Sequence, residues 1–586
     1  MKDHPLQKEA STTTDEIDVF PSLDEKQLDK LGDQLESQTQ ERQEDLSDPV
    51  DPSKDHGSTT LPAKFRESDA GDGTRREDHI LTGTRFYLCT VSLMLCLFLV
   101  ALDQLITSAV LTEISNQFNQ FNMMTWITAG FLMAMGCCCQ VWGKLSINFG
   151  RKWTLVSAIV IFEIGSLIAG VSRSMDMFIG GRVLQGIGGS GIQSIIMVIF
   201  TEITTIDKKP LLFSCVGLVF AVASALGPVI GGIFGTYATW RWCFYLNLCC
   251  GAIILPFFLF TYRPKPPVGT FLEKIRSIDF LDCVLMIASW VLLLLGISFG
   301  QTGSSWKSAS VICCFIIGGL LLIAFCIYNF KYSPSPVLPL DIVQVPSIVA
   351  AAGTVTFTFS SFIVAMQFLS IYFQNILGHD PLHTGISVLP SAISTSVVSV
   401  TSGILVQKTR YLKVYSLIGC ILQPAAVGLF ILMGTREDLG KSIGFQIMLG
   451  ISMGFNFQPP MISALIDAPK TPGSTILTTA FLNFARSIGS ALFSEIGGAI
   501  YTETLKSGLR KIGGQIEEVQ YPIDEVVLRT SILQKLNDHD RALIMGQMVD
   551  SIHYVFYMCV GLSIVGLGCS TMLSSKRVPK RENVEA

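Results

Sequence analysis

The sequence predicts an all-α protein that crosses a lipid bilayer fourteen times. Of its 586 residues, only 15% are charged and 49% are hydrophobic, and the mean hydropathy is +0.49. The apolar residues cluster in runs of about 20, the length at which an α-helix spans the hydrocarbon core of a membrane. Composition and run length together favour a polytopic membrane protein over a soluble globular one.

The first 84 residues differ in composition from the rest. Residues 1–80 hold 21 Asp and Glu against 10 Lys and Arg, although the whole chain has a net charge of only −4. The stretch begins "MKDHPLQKEASTTTDEIDVF", lacks sustained apolar periodicity and has no signal-peptide pattern. We interpret residues 1–84 as a disordered acidic cytoplasmic tail that precedes a basic membrane body.

Fourteen apolar segments follow, each with the length of a spanning helix. They cover residues 86–111, 123–146, 153–171, 177–200, 211–236, 243–262, 278–299, 308–330, 347–371, 383–406, 412–433, 442–466, 474–500 and 551–573. An even number of spans places both ends of the membrane body on the same side.

Basic residues recur in alternate loops, namely in "NFGRKW", "DKKP", "YRPKPP", "QKTRYLK" and the terminal "SSKRVPKRE". Because loops rich in Lys and Arg stay cytoplasmic, both termini are predicted to be inside. Residues 502–550 then lie outside, where "DEVVLRTSILQKL" has the periodicity of a surface helix. The expected location is the plasma membrane, with a vacuolar or vesicle membrane as the alternative.

Two loops indicate an internal repeat. Spans two and three are joined by "GKLSINFGRK", and spans ten and eleven by the weaker copy "GILVQKTRYLK". Two six-helix bundles with two inserted linker spans would place these loops equivalently, as in transporters built from repeats. The predicted parts are residues 85–265 and 336–575 for the bundles, 266–335 for a cytoplasmic loop with the linker spans, and 576–586 for a cytoplasmic tail.

Four motifs carry a resemblance to a known family. They are "GKLSINFGRK" (residues 143–152), "RVLQGIGGSG" (182–191), "GLVFAVASALGPVIGGIF" (217–234) and "WRWCFYLN" (240–247). Their order and placement resemble the major facilitator superfamily, and more narrowly its fourteen-span drug:proton antiporter branch and the fungal toxin-efflux pumps within it. The resemblance implies the major facilitator fold.

The motif after the second span departs from the family pattern. An acidic residue usual in the family is replaced by Ile147, followed by Asn148, which removes an expected charge partner for the basic residues of the loop. Arg151 and Lys152 are still able to cap helix C-termini or meet anionic lipid. The residues assigned to gating and helix packing are Gly143, Lys144, Gly150, Arg151, Lys152, Gly217, Gly227, Pro228, Gly231 and Gly232.

Ionisable residues inside spans are expensive and therefore point to function. Asp103 lies in the first span, Glu163 in the third, Arg182 in the fourth and Glu495 in the thirteenth. Gln185 shares a helix face with Arg182, and the resemblance implies proton coupling for this arginine. All five residues are proton-coupling candidates, with contact to a substrate cation as a second possible role for Glu163 and purely structural pairing as the alternative.

Polar and aromatic residues of the second half are candidates for a substrate cavity, with ordinary packing as the alternative. They are Gln367, Phe373, Gln374, Asn456, Gln458 and Asn483.

Other chemistries have weaker support. The stretch "GIGGSG" fits a dinucleotide pattern, but it lies inside an apolar span with no preceding strand, so helix packing is the better explanation. His379 and His383 have the spacing of a metal pair, but Pro381 argues against one helix there. No catalytic residue, metal or cofactor is predicted, and the chain is not expected to be an enzyme.

The predicted function is secondary active efflux of a bulky, largely apolar organic compound, such as a toxin, drug or fungal secondary metabolite, in exchange for protons. The proton gradient is the expected energy source, and the expected partners are the small-molecule substrate, protons and membrane lipid. The protein is expected to be a monomer and is not expected to bind nucleic acid. The alternatives are a proton-coupled importer of a chelate or basic nutrient and a non-transporting membrane sensor.

The alternation of basic loops leads to a topology prediction. A reporter fused after residue 410 should read as cytoplasmic, and a reporter inserted within residues 502–550 should read as external. Protease protection or a compartment-sensitive reporter enzyme measures this. The reverse pattern would contradict the number of spans.

Overall fold

A computed structural model describes residues 80–578, except residues 82, 119, 121–122, 205–208, 266, 268–269, 302–305, 380, 472 and 513–536. The chain divides into the units Met1–Lys64 and Phe65–Ala586, and the helices described below belong to the second unit. The predicted acidic tail up to residue 79, the predicted surface helix "DEVVLRTSILQKL" and residues 579–586 lie outside the described residues.

Within the described residues, one long helix lies at each predicted span. The helices are α1 Gly83–Phe118, α2 Met124–Phe149, α3 Arg151–Gly170, α4 Met175–Glu202, α5 Lys209–Tyr237, α6 Trp242–Thr261, α7 Phe280–Gln301, α8 Ala309–Lys331, α9 Pro346–Ile371, α10 Leu389–Thr409, α11 Lys413–Leu429, α12 Leu439–Asn456, α13 Ser474–Ile512 and α14 Asp538–Thr571. Shorter helices cover Phe271–Arg276, Leu340–Val343, Pro381–Ser387 and Pro459–Ile466, with a π-helix at Tyr372–Ile376 and a 3₁₀ turn at Phe430–Leu432.

Twelve helices of the described chain are long and apolar enough to cross a membrane, which makes this a multi-pass membrane protein. The two other helices at predicted spans are α5 and α12. In α5, the continuous apolar helix among the described residues covers only Leu211–Phe220, which is shorter than a membrane span. Helix α12 ends at Asn456, and the separate helix Pro459–Ile466 follows it. The count of fourteen therefore stays a prediction.

The last two long helices extend further than the sequence predicted. The predicted apolar segments end at residue 500 and begin at residue 551, whereas α13 continues to Ile512 and α14 already begins at Asp538. The added turns are amphipathic. Leu505 and Leu509 of α13 are buried in one apolar cluster with Ile544 and Met548 of α14, and this packing stabilises both helices beyond the apolar runs.

Two bundles and an inserted pair make up the architecture. Helices α1–α6 pack among themselves, and so do α9–α14, while the bundles meet where α2 contacts α13 and where α5 contacts α10. The inserted helices α7 and α8 pack on each other, and α7 also contacts both α2 and α13. This arrangement has the two six-helix bundles and the linker pair that the sequence predicted.

Polar contacts fasten the inserted pair to both bundles. Gln140 of α2 donates to the carbonyl of Val337 at 2.8 Å, just beyond α8. At the other end of the pair, Gln301 of α7 donates to the Glu495 carboxylate of α13 at 2.7 Å. The linker helices therefore bridge the seam between α2 and α13.

The chain after α14 folds back against the second bundle. Lys576 forms an ion pair with Asp467 at 2.8 Å, and the backbone N–H of the buried Val578 donates to the carbonyl of Arg410. Burial acts to raise the pKa of Asp467, but the contact with Lys576 and the hydrogen bond from Ser347 outweigh it and lower that pKa. Residues 574–578 thus tie together the ends of several helices.

Small residues let α4 lie at the centre of the first bundle. A Cβ atom on Gly186 would lie 2.4 Å from the carbonyl oxygen of Phe131 in α2. A Cβ atom on Gly188 would lie 2.4 Å from the backbone nitrogen of Phe162 in α3. The glycines of "GIGGSG" therefore serve backbone-to-backbone packing, as expected for small residues between membrane helices.

This packing predicts the effect of two substitutions in one helix. Gly188→Leu should prevent close packing of α4 on α3 and destabilise the fold by more than about 3 kcal/mol, because backbone atoms cannot move aside as a side chain can. Gly180→Leu is the matched control, since a Cβ atom there meets nothing within 4 Å. Size-exclusion profiles of the detergent-solubilised variants test this, and a monodisperse Gly188→Leu protein would contradict it.

Candidate functional site

A buried ion pair lies inside the first bundle. Nη1 of Arg182 in α4 is 2.5 Å from Oδ2 of Asp103 in α1, and the two side chains are 1% and 0% exposed. The structure thus brings together two residues that the sequence singled out separately. In an apolar interior, each charge offsets the cost of burying the other.

Three amide and hydroxyl side chains complete a network around this pair. Gln185 donates to Oδ1 of Asp103 at 3.0 Å and to the hydroxyl of Ser166 at 2.7 Å. Asn247 of α6 donates to the same Oδ1 at 2.8 Å. Sequence analysis did not select Ser166 or Asn247, although Asn247 ends the motif "WRWCFYLN" and is a polar residue in an apolar run. Helices α4 and α6 therefore contact the Asp103 carboxylate of α1, and α3 joins the network through Ser166.

Aromatic rings flank the arginine of this network. The guanidinium carbon of Arg182 is 4.5 Å from the ring centre of Phe131 and 5.8 Å from that of Phe244. Ring faces attract a cation and exclude water from it. The charge of Arg182 is thus held by one carboxylate and two rings, and its position is closely fixed.

Glu163 of α3 lies next to this network without joining it. Both carboxylate oxygens are buried, and neither has a hydrogen-bond partner among the described residues. Glu163 faces Gly251 of α6, where a Cβ atom would overlap the carboxylate. Ser166 is one turn from Glu163 on α3, and Asn247 is one turn from Gly251 on α6. The structure therefore places a second carboxylate one helical turn from the Asp103 network.

Glu495 lies elsewhere. It is on α13 in the second bundle, and its carboxylate accepts the hydrogen bond from Gln301 of the linker pair. The structure does not bring Glu495 together with Asp103, Glu163, Arg182 or Gln185.

The basic residues between α2 and α3 have partners that the sequence did not reveal. Nη2 of Arg151 is 2.6 Å from Oε1 of Glu202 at the end of α4, with both side chains buried. Arg151 thus has a carboxylate partner despite Ile147, which corrects the expected loss of a charge partner. Lys152 donates to the carbonyl of Leu259 near the end of α6, which is the expected helix cap.

The remaining residues of this motif lie at close approaches. A Cβ atom on Gly143 would lie 2.4 Å from Cβ of Ala480 in α13, so this glycine permits contact between the bundles. Lys144 donates to the carbonyl of Pro336 beyond the linker pair at 3.0 Å. Gly150 has φ = 84°, a conformation that favours glycine, and it turns the chain from α2 into α3.

The glycines of α5 face different neighbours. A Cβ atom on Gly217 would lie 2.9 Å from Oγ of Ser399 in α10, across the boundary between bundles. A Cβ atom on Gly227 would lie 2.7 Å from Cβ of Leu105 in α1, within the same bundle. The helix continues through Pro228, Gly231 and Gly232. Of these two glycines, Gly217 is the one at the contact with the opposite half.

The proposed cavity residues do not form one cluster. Phe373 belongs to the apolar core of the second bundle. Asn456 accepts from Ser416, Gln458 donates to Ser399, and Gln367 accepts from Ser494, while Gln374 is half-buried in the π-helix. The side-chain amide nitrogen of Asn483 in α13 has no hydrogen-bond partner among the described residues.

Arg486 is one of the buried ionisable residues that sequence analysis did not select. Arg486 of α13 is 5% exposed, and neither its Nε nor its Nη2 has a hydrogen-bond partner within the described part of the chain. Its guanidinium carbon is 4.9 Å from the ring centre of Phe359 in α9. The signal was present in the sequence, because "AFLNFARSIGSALF" places an arginine within an apolar run.

The buried pair predicts how charge removal affects stability. Arg182→Met should lower the free energy of unfolding by about 3–5 kcal/mol, because it leaves the Asp103 carboxylate without its cation. Asp103→Asn should also destabilise, and the double variant should recover most of the loss. Thermal unfolding followed with a thiol-reactive dye measures this. A double variant less stable than either single variant would contradict a charge-pair explanation.

Comparison with known proteins agrees with this architecture. Residues 93–494 match the sequence model of the Major Facilitator Superfamily. The chain is 31% identical to the MFS-type transporter ppz2 of Metarhizium majus over 88% of this chain and 89% of that one. It is 30% identical to the vacuolar basic amino acid transporter 5 of Saccharomyces cerevisiae, covering 88% and 96%.

A further relative is the efflux pump dotC of Dothistroma septosporum, which is 30% identical over 84% of this chain and 85% of its own. The family match spans most of both bundles and the linker pair. This chain therefore belongs to the Major Facilitator Superfamily and is a membrane transporter.

Proposed function

We propose that this transporter exports a bulky, largely apolar organic compound in exchange for protons by alternating access. The observation that carries the proposal is the buried carboxylate of Glu163, which has no hydrogen-bond partner among the described residues and lies beside the Asp103–Arg182 network. A buried carboxylate without a counter-charge is far cheaper to keep as the neutral acid than as the ion. Glu163 is therefore a group on which a proton can be carried through the membrane interior.

The neighbouring Asp103–Arg182 network responds to a change in the charge of Glu163. When Glu163 releases its proton, a second negative charge appears one turn from Asp103. A negative charge there competes for the guanidinium of Arg182, which the Asp103 carboxylate, Gln185 and two rings now hold. Protonation and deprotonation thus favour different arrangements of α1, α3 and α4.

Such rearrangement reaches the other bundle through two tight contacts. Gly143 lies against Ala480, and Gly217 lies against Ser399, both across the boundary between the bundles. Alternating access requires contacts of this kind to form and separate as the bundles rock. The membrane potential adds about 2.3 kcal/mol per 100 mV for each charge moved.

Export is preferred to import because an efflux pump is among the relatives and because the family motif "GPVIGG" is typical of exporters. The proposed orientation, with both termini cytoplasmic, follows from the basic loops, and the proposed location is the plasma membrane. Since one relative is named a vacuolar transporter, the vacuolar membrane is the alternative location.

Glu163→Gln tests the proton step. The full chain is reconstituted in liposomes with an imposed pH gradient, and neutral, anionic and cationic lipophilic dyes are offered. With one-for-one exchange, a gradient of one pH unit can drive about tenfold accumulation of a neutral substrate. Glu163→Gln should abolish accumulation but keep gradient-independent exchange of dye across the membrane.

The matched control is Glu503→Gln, since Glu503 is an exposed carboxylate near the end of α13 and its loss should leave accumulation unchanged. If the Glu163→Gln protein accumulates dye as the unmodified chain does, Glu163 is not the proton site. The same conclusion follows if, of the two single variants, Glu495→Gln abolishes accumulation and Glu163→Gln does not.

A further inference from the structure

Arg486 is a buried cation for which the described protein supplies no counter-ion. It is 5% exposed, and two of its three guanidinium nitrogens, Nε and Nη2, are buried without a hydrogen bond. Among the described residues no carboxylate forms an ion pair with it, whereas Arg182 pairs with Asp103 and Arg151 pairs with Glu202.

The residue lies where the bundles meet. Cys139 of α2 is near its guanidinium, and Ser194 of α4 lies beside that thiol. Two residues further along α13, Ile488 is so close to Gly136 of α2 that a Cβ atom on the glycine would lie 3.3 Å from it. From the second bundle, the ring of Phe359 covers the guanidinium. Arg486 therefore contacts elements that move relative to each other in a rocking transporter.

Two further groups near Arg486 have no partner among the described residues, one on its own helix α13 and one on the facing helix α9. The side-chain nitrogen of Asn483, on the same face of α13, has no hydrogen-bond partner within the described residues, and neither does the hydroxyl of Ser360. Ser360 follows Phe359 in α9 and faces α13, since a Cβ atom on Gly489 would lie 3.3 Å from its oxygen. The amide and guanidinium nitrogens donate, and a hydroxyl is able to donate as well.

These groups are complementary to one kind of ligand atom. Unused donors around a fixed positive charge match an oxygen that carries negative charge, and guanidinium is particularly suited to bind a carboxylate through two hydrogen bonds. The ring of Phe359 lies over the charge, and Phe484 and Ile488, two residues before and after Arg486 in α13, belong to an apolar cluster. A basic ligand would instead be repelled by Arg486.

We propose that Arg486, with Asn483 and Ser360, binds the oxyanion of the transported compound, so that the substrate is an organic acid with a large apolar body. This inference rests on the proposed function, in that it assigns the substrate class of the same exporter. It also separates this chain in substrate charge from a transporter of basic amino acids.

Equilibrium binding tests the assignment without any proton gradient. The full chain is held in lipid nanodiscs, and three probes with one aromatic body are titrated by calorimetry: naphthaleneacetate, its neutral amide naphthaleneacetamide, and the cation naphthylethylamine. The unmodified chain should bind the carboxylate at least tenfold more tightly than the amide and should bind the amine most weakly. Arg486→Gln should remove the preference for the carboxylate, and Arg486→Lys should retain part of it.

Arg510→Gln is the matched control, because it removes the same charge from an exposed position on the same helix, and it should leave all three affinities unchanged. Asn483→Leu, which keeps the buried arginine, should weaken carboxylate binding severalfold and carries the test if Arg486→Gln does not fold. The assignment is overturned if the unmodified chain does not prefer the carboxylate, or if the preference survives in both Arg486→Gln and Asn483→Leu.

The two proposals fail separately. Loss of gradient-driven accumulation in the transport assay, with carboxylate binding intact, would reject proton-driven export and keep the anion site. Proton-driven export of neutral or cationic dyes, with no carboxylate preference, would keep the exporter and reject the anion site.

Discussion

The cost of placing charge in a hydrocarbon interior governs where the functional groups of this protein lie. Each ionised side chain at mid-membrane costs at least about 2.5–3.5 kcal/mol unless it is paired or hydrated. Asp103 and Arg182 meet that constraint through each other, and so do Arg151 and Glu202. These pairs are satisfied, whereas the described residues supply no ion-pair partner for Glu163 or Arg486, and we therefore propose these two groups as the places where an external proton and an external anion contribute most.

Close helix packing makes this arrangement possible. Arg182 and Gln185 reach Asp103 of α1 from α4, a helix that glycines let pack closely on the backbones of α2 and α3. The same small residues that weaken an isolated helix therefore shorten the distances on which the polar network depends. Glycine also occurs at the boundary between bundles, at Gly143 and Gly217. At these positions the helices approach each other closely without interdigitating side chains, so the contact can form and separate.

Much of the fold could be predicted from sequence because hydrophobic runs of membrane length leave few alternatives. The ends of α13 and α14 could not, since Leu505 and Leu509 are buried only once the two helices pack together. The pairing of Arg151 with Glu202 could not be predicted either, because it joins two helix ends separated by 51 positions in the chain. Arg486 was overlooked although it is visible in the sequence, and its lack of a partner became apparent only when its neighbours were placed.

Exchange of a proton for an anion requires that occupancy of one site changes the affinity of the other, and that change is reciprocal. Helix α4 is the element common to both sites. Arg182 and Gln185 hold the Asp103 carboxylate beside Glu163, and Ser194 further along the helix lies beside Cys139 near Arg486. Gln185 and Ser194 are nine residues apart, or about 13 Å along a helix that rises 1.5 Å per residue. Glycine-mediated contacts pack α4 closely against α2 and α3 over this distance, so in the proposed mechanism a shift of α4 that relieves the charge beside Glu163 would also displace the wall of the proposed anion site. Coupling of this kind needs no direct contact between proton and substrate, because one rigid helix takes part in both equilibria.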